Sequence, residues 1–196
     1  MAETTRRTQG AQQGARSTQV VEAVLAAAVS ELSRVGYAAF TIDAVAKKAG
    51  VNRTTIYRRW PNKALLLRDV LQPLLRRYDE VPDTGSSWRD LSLLLRTVRD
   101  ITASPEGLAF TEASRSASSE ISDVMTAVMN RALTPFHTVL ARAVQRSELE
   151  AANRDMVAQL AFFGVAMWGQ THSEPLADTD CDTMAKLLLP RSAKTV

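Results

Sequence analysis

Apolar residues recur along this chain every three or four positions, which is the spacing of amphipathic α-helices. In the first such stretch, residues 17–35, Val20, Val24, Ala28 and Leu32 lie four positions apart. The full pattern predicts helices over about residues 17–35, 42–49, 53–59, 62–78, 87–103, 105–116, 120–147, 153–171 and 179–189. Because no segment alternates apolar and polar residues as a strand does, the fold class is predicted to be all-α.

Residues 41–63 predict two short helices joined by a tight turn. Thr41 and Asn52 can cap the two helices, because their side-chain oxygens accept hydrogen bonds from free backbone N–H groups. Gly50 stands where a chain leaving a helix commonly turns left-handed, a conformation that glycine adopts without steric cost. The apolar residues that would pack the two helices together are Ile42, Val45, Ala46, Ala49, Val51, Ile56 and Trp60.

The second of these helices carries a polar and basic face. Arg53 and Tyr57 are four residues apart, as are Thr54 and Arg58, so the four share the side opposite the apolar residues. Such a helix, anchored by another small helix, is typical of a DNA recognition helix. The alternative is a solvated face with incidental charge; the agreement of caps, turn glycine and apolar positions argues against it.

A resemblance to the tetracycline-repressor (TetR) family is carried by residues 49–66, which read Ala-Gly-Val-Asn-Arg-Thr-Thr-Ile-Tyr-Arg-Arg-Trp-Pro-Asn-Lys-Ala-Leu-Leu. The family's segment typically reads Gly-Val-Ser, a variable residue, Thr-Leu-Tyr, an aromatic residue and Lys. The similarity extends back through Val35-Gly36-Tyr37 and Phe40-Thr41 and covers roughly residues 17–75. Trp60 stands where phenylalanine is commoner, which is a conservative departure.

The resemblance implies an all-helical homodimer that binds operator DNA and releases it when a small molecule enters the C-terminal domain. The expected function is therefore that of a transcriptional repressor. Residues 1–16 are predicted to form a disordered basic arm, and 17–80 a helix-turn-helix DNA-binding domain with its connecting helix. Residues 81–196 are predicted to form a helical effector-binding and dimerisation domain, which begins at the turn-rich linker 81–86.

The candidate DNA contacts fall into two groups. Arg53 and Thr54 are predicted to contact base edges, and Arg58 could take either role. The residues predicted to bind phosphates are Thr41, Thr55, Tyr57, Arg59 and Lys63. The basic arm either enters the minor groove, as homeodomain arms do, or touches nothing, and the second alternative is slightly favoured.

Charge and cysteine content agree with this interpretation. The chain has a formal net charge of +3, yet residues 1–80 hold 13 Lys/Arg against 7 Asp/Glu, and residues 81–196 hold 11 against 14. Phosphate binding is therefore expected in the N-terminal part. The single cysteine, Cys181, rules out an intrachain disulfide. With no apolar run of membrane-spanning length, a cytoplasmic location and no membrane partner are expected.

The helix predicted over 153–171 is apolar almost all round between Leu160 and Trp168. A helix without a polar face is covered on both sides. Either it is an intrachain core helix, or one side packs against a partner, and the resemblance favours a four-helix bundle made with a second subunit. The residues predicted to form this interface are Leu160, Phe163, Gly164, Met167, Met184, Leu187 and Leu188.

Large apolar side chains in the C-terminal part suit a pocket for a hydrophobic, aromatic or lipid-like effector. The candidates are Trp88, Leu91, Leu95, Phe110, Met125, Met129, Phe136, His137 and Trp168. Glu112, Arg115 and His137 could orient a polar group of such a molecule. For any single one of the apolar residues, ordinary core packing is the better explanation.

An enzyme is disfavoured. His137 and His172 are too far apart to form a metal pair on one helix, and no cysteine or carboxylate lies near either at a recognisable ligand spacing. The chain also lacks a phosphate-binding glycine-rich loop and a nucleophile elbow. No metal or cofactor is expected. A DNA-binding architectural protein without an effector remains an alternative.

Overall fold

A computed structural model of the protein describes residues 4–116 and 119–189. Its α-helices are α1 (Thr4–Ala39), α2 (Ile42–Ala49), α3 (Arg53–Arg59), α4 (Lys63–Arg76), α5 (Ser87–Thr102), α6 (Pro105–Ser114), α7 (Ser122–Gln145), α8 (Arg154–Thr171) and α9 (Asp178–Leu188). Short 3₁₀ turns lie at Ser119–Ile121 and Ala151–Asn153. Over the described residues there is no strand, so the all-α prediction is confirmed.

The first helix differs most from its predicted bounds. It begins at Thr4 rather than near residue 17, so residues 4–16, predicted to be disordered, are helical. The segment contains no proline, its Ala, Gln and Arg residues favour helix, and extending a helix costs less than nucleating one. Residues 1–3 of the predicted arm lie outside the described residues. At the predicted end, Gly36 has a non-helical backbone (φ 69°, ψ 172°), which kinks the helix before its last residues up to Ala39.

The chain forms two compact units. The first contains the residues up to Leu71 together with Ala109–Ile121, and the second contains Gln72–Leu108 and the residues from Ser122 onward. The division falls inside α4 rather than at the linker 81–86 expected from the sequence. Sequence composition alone gives no sign that residues 109–121 belong with the first unit.

The turn-rich linker is bound to the second unit by hydrogen bonds, which explains why it does not separate the units. The backbone N–H of Thr84 donates to Oδ1 of the buried Asp90 at 2.8 Å. Arg142 on α7 donates to the carbonyl oxygen of Pro82 at 2.8 Å. A segment rich in Pro, Gly and Ser can thus be a fixed part of a domain when packed side chains satisfy its backbone groups.

The core of the first unit combines α1 to α4 with the segment 109–121. Apolar residues of α1 at helical spacing face α2, and α2 packs against α3. Ile121 is almost fully buried and anchors the 3₁₀ turn Ser119–Ile121 to this core, while Ser119 and Glu120 are exposed. Other buried residues of the unit are Val24, Ala28, Leu32, Phe40, Val45, Ile56, Leu66 and Leu67.

In the second unit α5 is the central helix and contacts α7, α8 and α9. Phe136 on α7 meets Phe162 on α8 edge to face, with ring centres 6.0 Å apart. Leu91, Leu95 and Val98 line the buried side of α5. In the part of the chain that the structure describes, no helix is long and apolar enough to cross a membrane.

Ion pairs and hydrogen bonds attach α9 to α5. Arg96 donates to Asp178 at 2.9 Å and to Asp182 at 2.8 Å, and Arg99 donates to Asp178 at 2.7 Å. The hydroxyl of Ser92 donates to Asp182 as well. The Ser92 hydrogen bond, followed by that from Arg96, lowers the pKa of Asp182 below its ordinary value. The ionised form of Asp182 is therefore favoured in the folded chain.

Asp182 should contribute to the loss of folding stability at low pH. Because its pKa is lowered on folding, its contribution is fully present above the ordinary value of 3.8 and is lost as pH falls through the folded value. We expect Asp182→Asn to flatten the fall in the free energy of unfolding between about pH 5 and about pH 2, measured by urea titration. Ser92→Ala, which changes no charge, should flatten it partly. Parallel curves for Asp182→Asn and the parent chain would contradict this.

Candidate nucleic-acid interface

The turn between α2 and α3 is built by local interactions. Oγ1 of Thr41 accepts a hydrogen bond from the N–H of Ala44 at 3.2 Å, and Oδ1 of Asn52 accepts one from the N–H of Thr54 at 2.9 Å. Both predicted caps are confirmed. Gly50 is left-handed (φ 67°, ψ 30°), as the turn requires. These interactions set the direction in which α3 leaves α2.

One side of α3 is buried and anchors the helix. Ile56 and Trp60 are almost completely buried in the first unit. The indole N–H of Trp60 donates to Oδ2 of Asp69 on α4 at 2.9 Å. Phenylalanine has no such donor, so tryptophan at this position links α3 to α4 as well as filling the core. The sequence pattern, in which Trp60 is only a conservative departure, carries no sign of this link because Asp69 lies in another helix.

The opposite side of α3 is exposed and basic. Arg53, Tyr57, Arg58 and Arg59 are all exposed, as is Thr54. The predicted face is therefore present on the surface. Because these side chains are exposed, they are accessible to a ligand. The buried side of the helix holds the backbone that carries them in a fixed position.

Three of these side chains already have partners within the unit. A guanidinium nitrogen of Arg53 lies 3.8 Å from Oδ2 of Asp43, an exposed pair of the kind worth about 0–1 kcal/mol. The Thr54 hydroxyl donates to Oδ1 of Asn52 at 2.9 Å, and Arg59 lies 5.5 Å from the centre of the Trp60 ring. The side chains that make these contacts are exposed, so they remain accessible to a ligand.

Of the predicted phosphate contacts, Lys63 and Thr55 are half-buried, whereas Thr41, Tyr57 and Arg59 are exposed. The ammonium of Lys63 donates to the carbonyl oxygen of Tyr37 at 3.4 Å and lies 4.4 Å from the centre of its ring. It also lies 3.9 Å from Oε2 of Glu120. Lys63 thus has an anionic partner within the protein, which its position in the sequence does not predict.

Two further cations, not among the predicted DNA contacts, lie beside the turn. Lys47 and Lys48 occupy the last turn of α2, and both are exposed. Lys48 donates to the hydroxyl of Ser30 on α1. The signal was available in the sequence, since both lysines lie within three residues of Gly50.

The predicted effector residues divide between the two units. Phe110 belongs to the first unit, as do Glu112 and Arg115, which form an ion pair with each other. The others lie in the second unit, where Leu91, Leu95 and Phe136 are fully buried and Trp88, Met125, Met129, His137 and Trp168 are half-buried. The fully buried members serve as core, whatever else they contact.

Two of the half-buried aromatic residues have polar or ring partners. The Trp88 ring faces the ammonium of Lys186 at 4.8 Å. Trp168 stacks on His172 with ring centres 3.8 Å apart, and its indole N–H donates to the carbonyl oxygen of Glu174 at 3.1 Å. Trp168 therefore helps to end α8 in addition to any role in a pocket.

His137 lies in a shallow depression of about 570 Å³ along α7. The depression is otherwise lined by Thr134, Thr138, Ala141, Arg142 and Gln145. Nδ1 of His137 is 3.4 Å from Oδ1 of Asp155. Five of these six residues carry polar side chains and all six belong to one helix, so the depression differs from the enclosed apolar pocket that the sequence predicts.

The predicted interface residues lie on one exposed apolar face of α8 and α9. Leu160, Phe163 and Met167 are exposed, and Leu187 is 76% exposed. Met184 and Leu188 are half-buried, and a Cβ atom built on the exposed Gly164 would lie 3.7 Å from Cε of Met184. The opposite side of α8 is buried within the second unit. Met156, 62% exposed, extends the face by a further turn and was not predicted.

Two family models match the chain. The model of bacterial regulatory proteins of the tetR family matches residues 24–70, and the model of the tetracyclin repressor-like C-terminal domain matches residues 81–188, more than half of the chain. The chain belongs to the TetR family. It is therefore a DNA-binding transcriptional regulator and not an enzyme. A DNA-binding transcriptional repressor TetR from Mycobacteroides abscessus is 35% identical over 130 residues, which are 64% of this chain and 68% of the relative.

Solved structures share the fold of this TetR-family chain. The regulator FadR from Bacillus subtilis, in complex with stearoyl-CoA, has a TM-score of 0.72 and 19% identity, covering 86% of this chain and 97% of FadR. AibR, in complex with isovaleryl coenzyme A and operator DNA, has a TM-score of 0.66 and 17% identity, covering 88% of this chain and 99% of AibR. At these identities the likeness concerns the fold alone.

Proposed function

We propose that this TetR-family regulator is a repressor that binds a palindromic operator as a homodimer and releases it when a small apolar molecule binds. The observation that carries the proposal is the exposed basic face of α3, which is held rigidly by Ile56 and Trp60. In this proposal residues 17–80 serve operator binding and residues 81–196 serve effector binding and dimerisation, a division by function that differs from the two compact units at residues 72–80 and 109–121. The protein acts in the cytoplasm, where a bacterial regulator meets its operator.

The position of each side chain on α3 suggests its role. The N-terminal residues of a recognition helix contact base edges, so Arg53 and Thr54 are the base-reading residues and Arg58 assists either role. Thr41, Thr55, Tyr57, Arg59 and Lys63 bind phosphates and set the register of the helix on the duplex. The exposure of most of this set supports the assignment.

Arg53 should determine sequence preference. Arginine binds guanine O6 and N7 with two hydrogen bonds, and losing one such pair costs about 1–3 kcal/mol of discrimination. We expect Arg53→Ala to relax base preference at two symmetric operator positions, as measured by binding to a randomised duplex library. Arg59→Ala in the same helix is the matched control and should weaken binding to all sequences alike. Equal losses for operator and random DNA in Arg53→Ala would exclude a base-reading role.

A second copy of this chain is the partner proposed for the apolar face of α8 and α9. Met156, Leu160, Phe163 and Met167 recur at helical spacing on the exposed side of α8. Contiguous exposed apolar surface of this kind marks an interaction site. A two-fold dimer also places two α3 helices about 34–36 Å apart, or a multiple of that, as reading of a palindrome requires.

Placing a charge in this face should separate the subunits. Phe163→Glu is expected to give monomers by light scattering and much weaker operator binding, because an unpaired carboxylate would be buried in the interface. Leu93→Glu is the matched control, since Leu93 is 41% exposed and Phe163 is 42% exposed, but Leu93 lies on α5. A parent chain that is monomeric and still binds operator tightly would rule out the dimer.

An apolar effector is supported by the half-buried Trp88, Met125 and Met129 of the second unit, because methionine side chains adapt to ligands of varied shape. The complexes of FadR with stearoyl-CoA and of AibR with isovaleryl coenzyme A make acyl-CoA molecules the first probes to test. To act as an inducer, the molecule must bind the DNA-free state more tightly than the operator-bound state.

Effector and operator should weaken each other's binding by the same factor, since coupling between two binding sites is reciprocal. We expect stearoyl-CoA, isovaleryl-CoA or an apolar compound found by thermal shift to raise the Kd for operator. Adding operator should then raise the Kd for that compound equally. A compound whose affinity is unchanged by operator does not act as an inducer. If no compound binds, an effector-independent DNA-binding protein becomes the better description.

A further inference from the structure

Glu120 is brought to the DNA-binding helices by the fold and not by its position in the chain. It lies in the 3₁₀ turn Ser119–Ile121, which follows α6 and belongs to the first unit. The next residue, Ile121, is buried and fixes this turn in the core of the unit. The carboxylate of Glu120 therefore has a defined place beside the start of α4.

At that place the carboxylate meets a cation and a buried ring. Oε2 of Glu120 is 3.9 Å from Nζ of Lys63, whose side chain is 26% exposed. The ammonium also lies over the ring of Tyr37. Burial and, next, the charge of Glu120 raise the pKa of the Tyr37 phenol above its ordinary value, so the phenol stays protonated. Lys63 is thus held by an anion, a ring and a carbonyl oxygen.

The positive end of the α4 dipole also favours an anion beside Lys63. Lys63 is the first residue of this 14-residue helix, and the N–H of Leu65 is capped by Asn62 at 2.9 Å. A lysine at the positive end of a helix dipole is unfavourable unless an anion lies close by. A carboxylate or a phosphate satisfies the same requirement. Glu120 is the anion that lies there when DNA is absent.

We infer that Glu120 competes with operator DNA for Lys63: its carboxylate holds the ammonium of Lys63 until a DNA phosphate replaces it. This inference rests on the proposed function, in which Lys63 binds a phosphate. The exchange is feasible because a partly exposed pair at this distance is weak and a lysine ammonium re-orients readily. Glu120 therefore lowers the affinity for DNA by competing for Lys63, and it does so without affecting sequence preference.

The test replaces Glu120 with its neutral isostere. Glu120→Gln should bind both operator and random duplexes roughly two- to five-fold more tightly, because the competing ion pair is lost. The slope of log Kd against log salt should steepen by up to about one unit. Fluorescence anisotropy over a salt series measures both. Glu120→Asp, which keeps the charge on a shorter side chain, should give a smaller gain, and thermal unfolding of each variant verifies that it is folded.

Two comparisons separate this mechanism from a general effect of charge. Glu112→Gln removes one charge from the same segment, but Glu112 pairs with Arg115, so little change in DNA affinity is expected. Glu120→Gln in a Lys63→Ala background should not change DNA affinity, because the ammonium for which Glu120 and the phosphate compete is then absent. An equal gain in that background, or an equal gain from Glu112→Gln, would overturn the inference.

Different results would refute the role of Glu120 and the proposed repressor function. If Lys63→Ala leaves the affinity and the salt slope unchanged while the parent chain binds operator, Lys63 is no phosphate contact and the role of Glu120 is refuted. The repressor proposal would stand in that case. If the parent chain binds neither operator nor random DNA, the proposed function itself is wrong.

Discussion

The burial of Ile56 and Trp60 beneath α3 is the interaction on which the DNA-binding surface depends. An isolated helix of seven residues is not stable in water, because too few hydrogen bonds offset the cost of nucleation. The order of α3 therefore comes from its buried side, from the cap at Asn52 and from the bond between Trp60 and Asp69. Only with that support can the arginines on the other side be held ready for a partner.

The arginines of α3 and those of α5 are used differently. On α3 they are exposed, and the pair of Arg53 with Asp43 is long at 3.8 Å, whereas Arg96 and Arg99 on α5 make ion pairs of 2.7–2.9 Å with Asp178 and Asp182. A guanidinium that is engaged in this way stabilises packing and contributes little to the binding of phosphate. The exposed arginines of α3 are therefore available to DNA.

The two sides of α8 have different roles, one in folding and the other in assembly. One side is buried against the second unit, while the other exposes Leu160, Phe163 and Met167. Such a helix satisfies the core of a single chain and leaves an apolar surface for a second copy. Association through this surface would give one DNA-binding molecule two recognition helices, and the gain in affinity from two linked contacts exceeds that of either alone.

Long-range contacts are where the sequence was least informative. Residues 109–121 carry no pattern that assigns them to the first unit, and Glu120 contacts Lys63 only because Ile121 is buried there. The link from Trp60 to Asp69 and the binding of the linker by Arg142 are of the same kind. Residues 4–16, in turn, lack the apolar spacing from which helices were predicted, although the structure continues α1 through them.

The sequence by itself determined the helices from residue 17 onward, the turn at Gly50, the caps at Thr41 and Asn52 and the exposed face of α3. Each depends on interactions within a few residues, and residue order records these directly. Only the tertiary structure decided which anion lies beside Lys63, which helix receives the indole N–H of Trp60 and which unit residues 109–121 join. These features depend on packing between distant segments, for which spacing along the chain carries no signal.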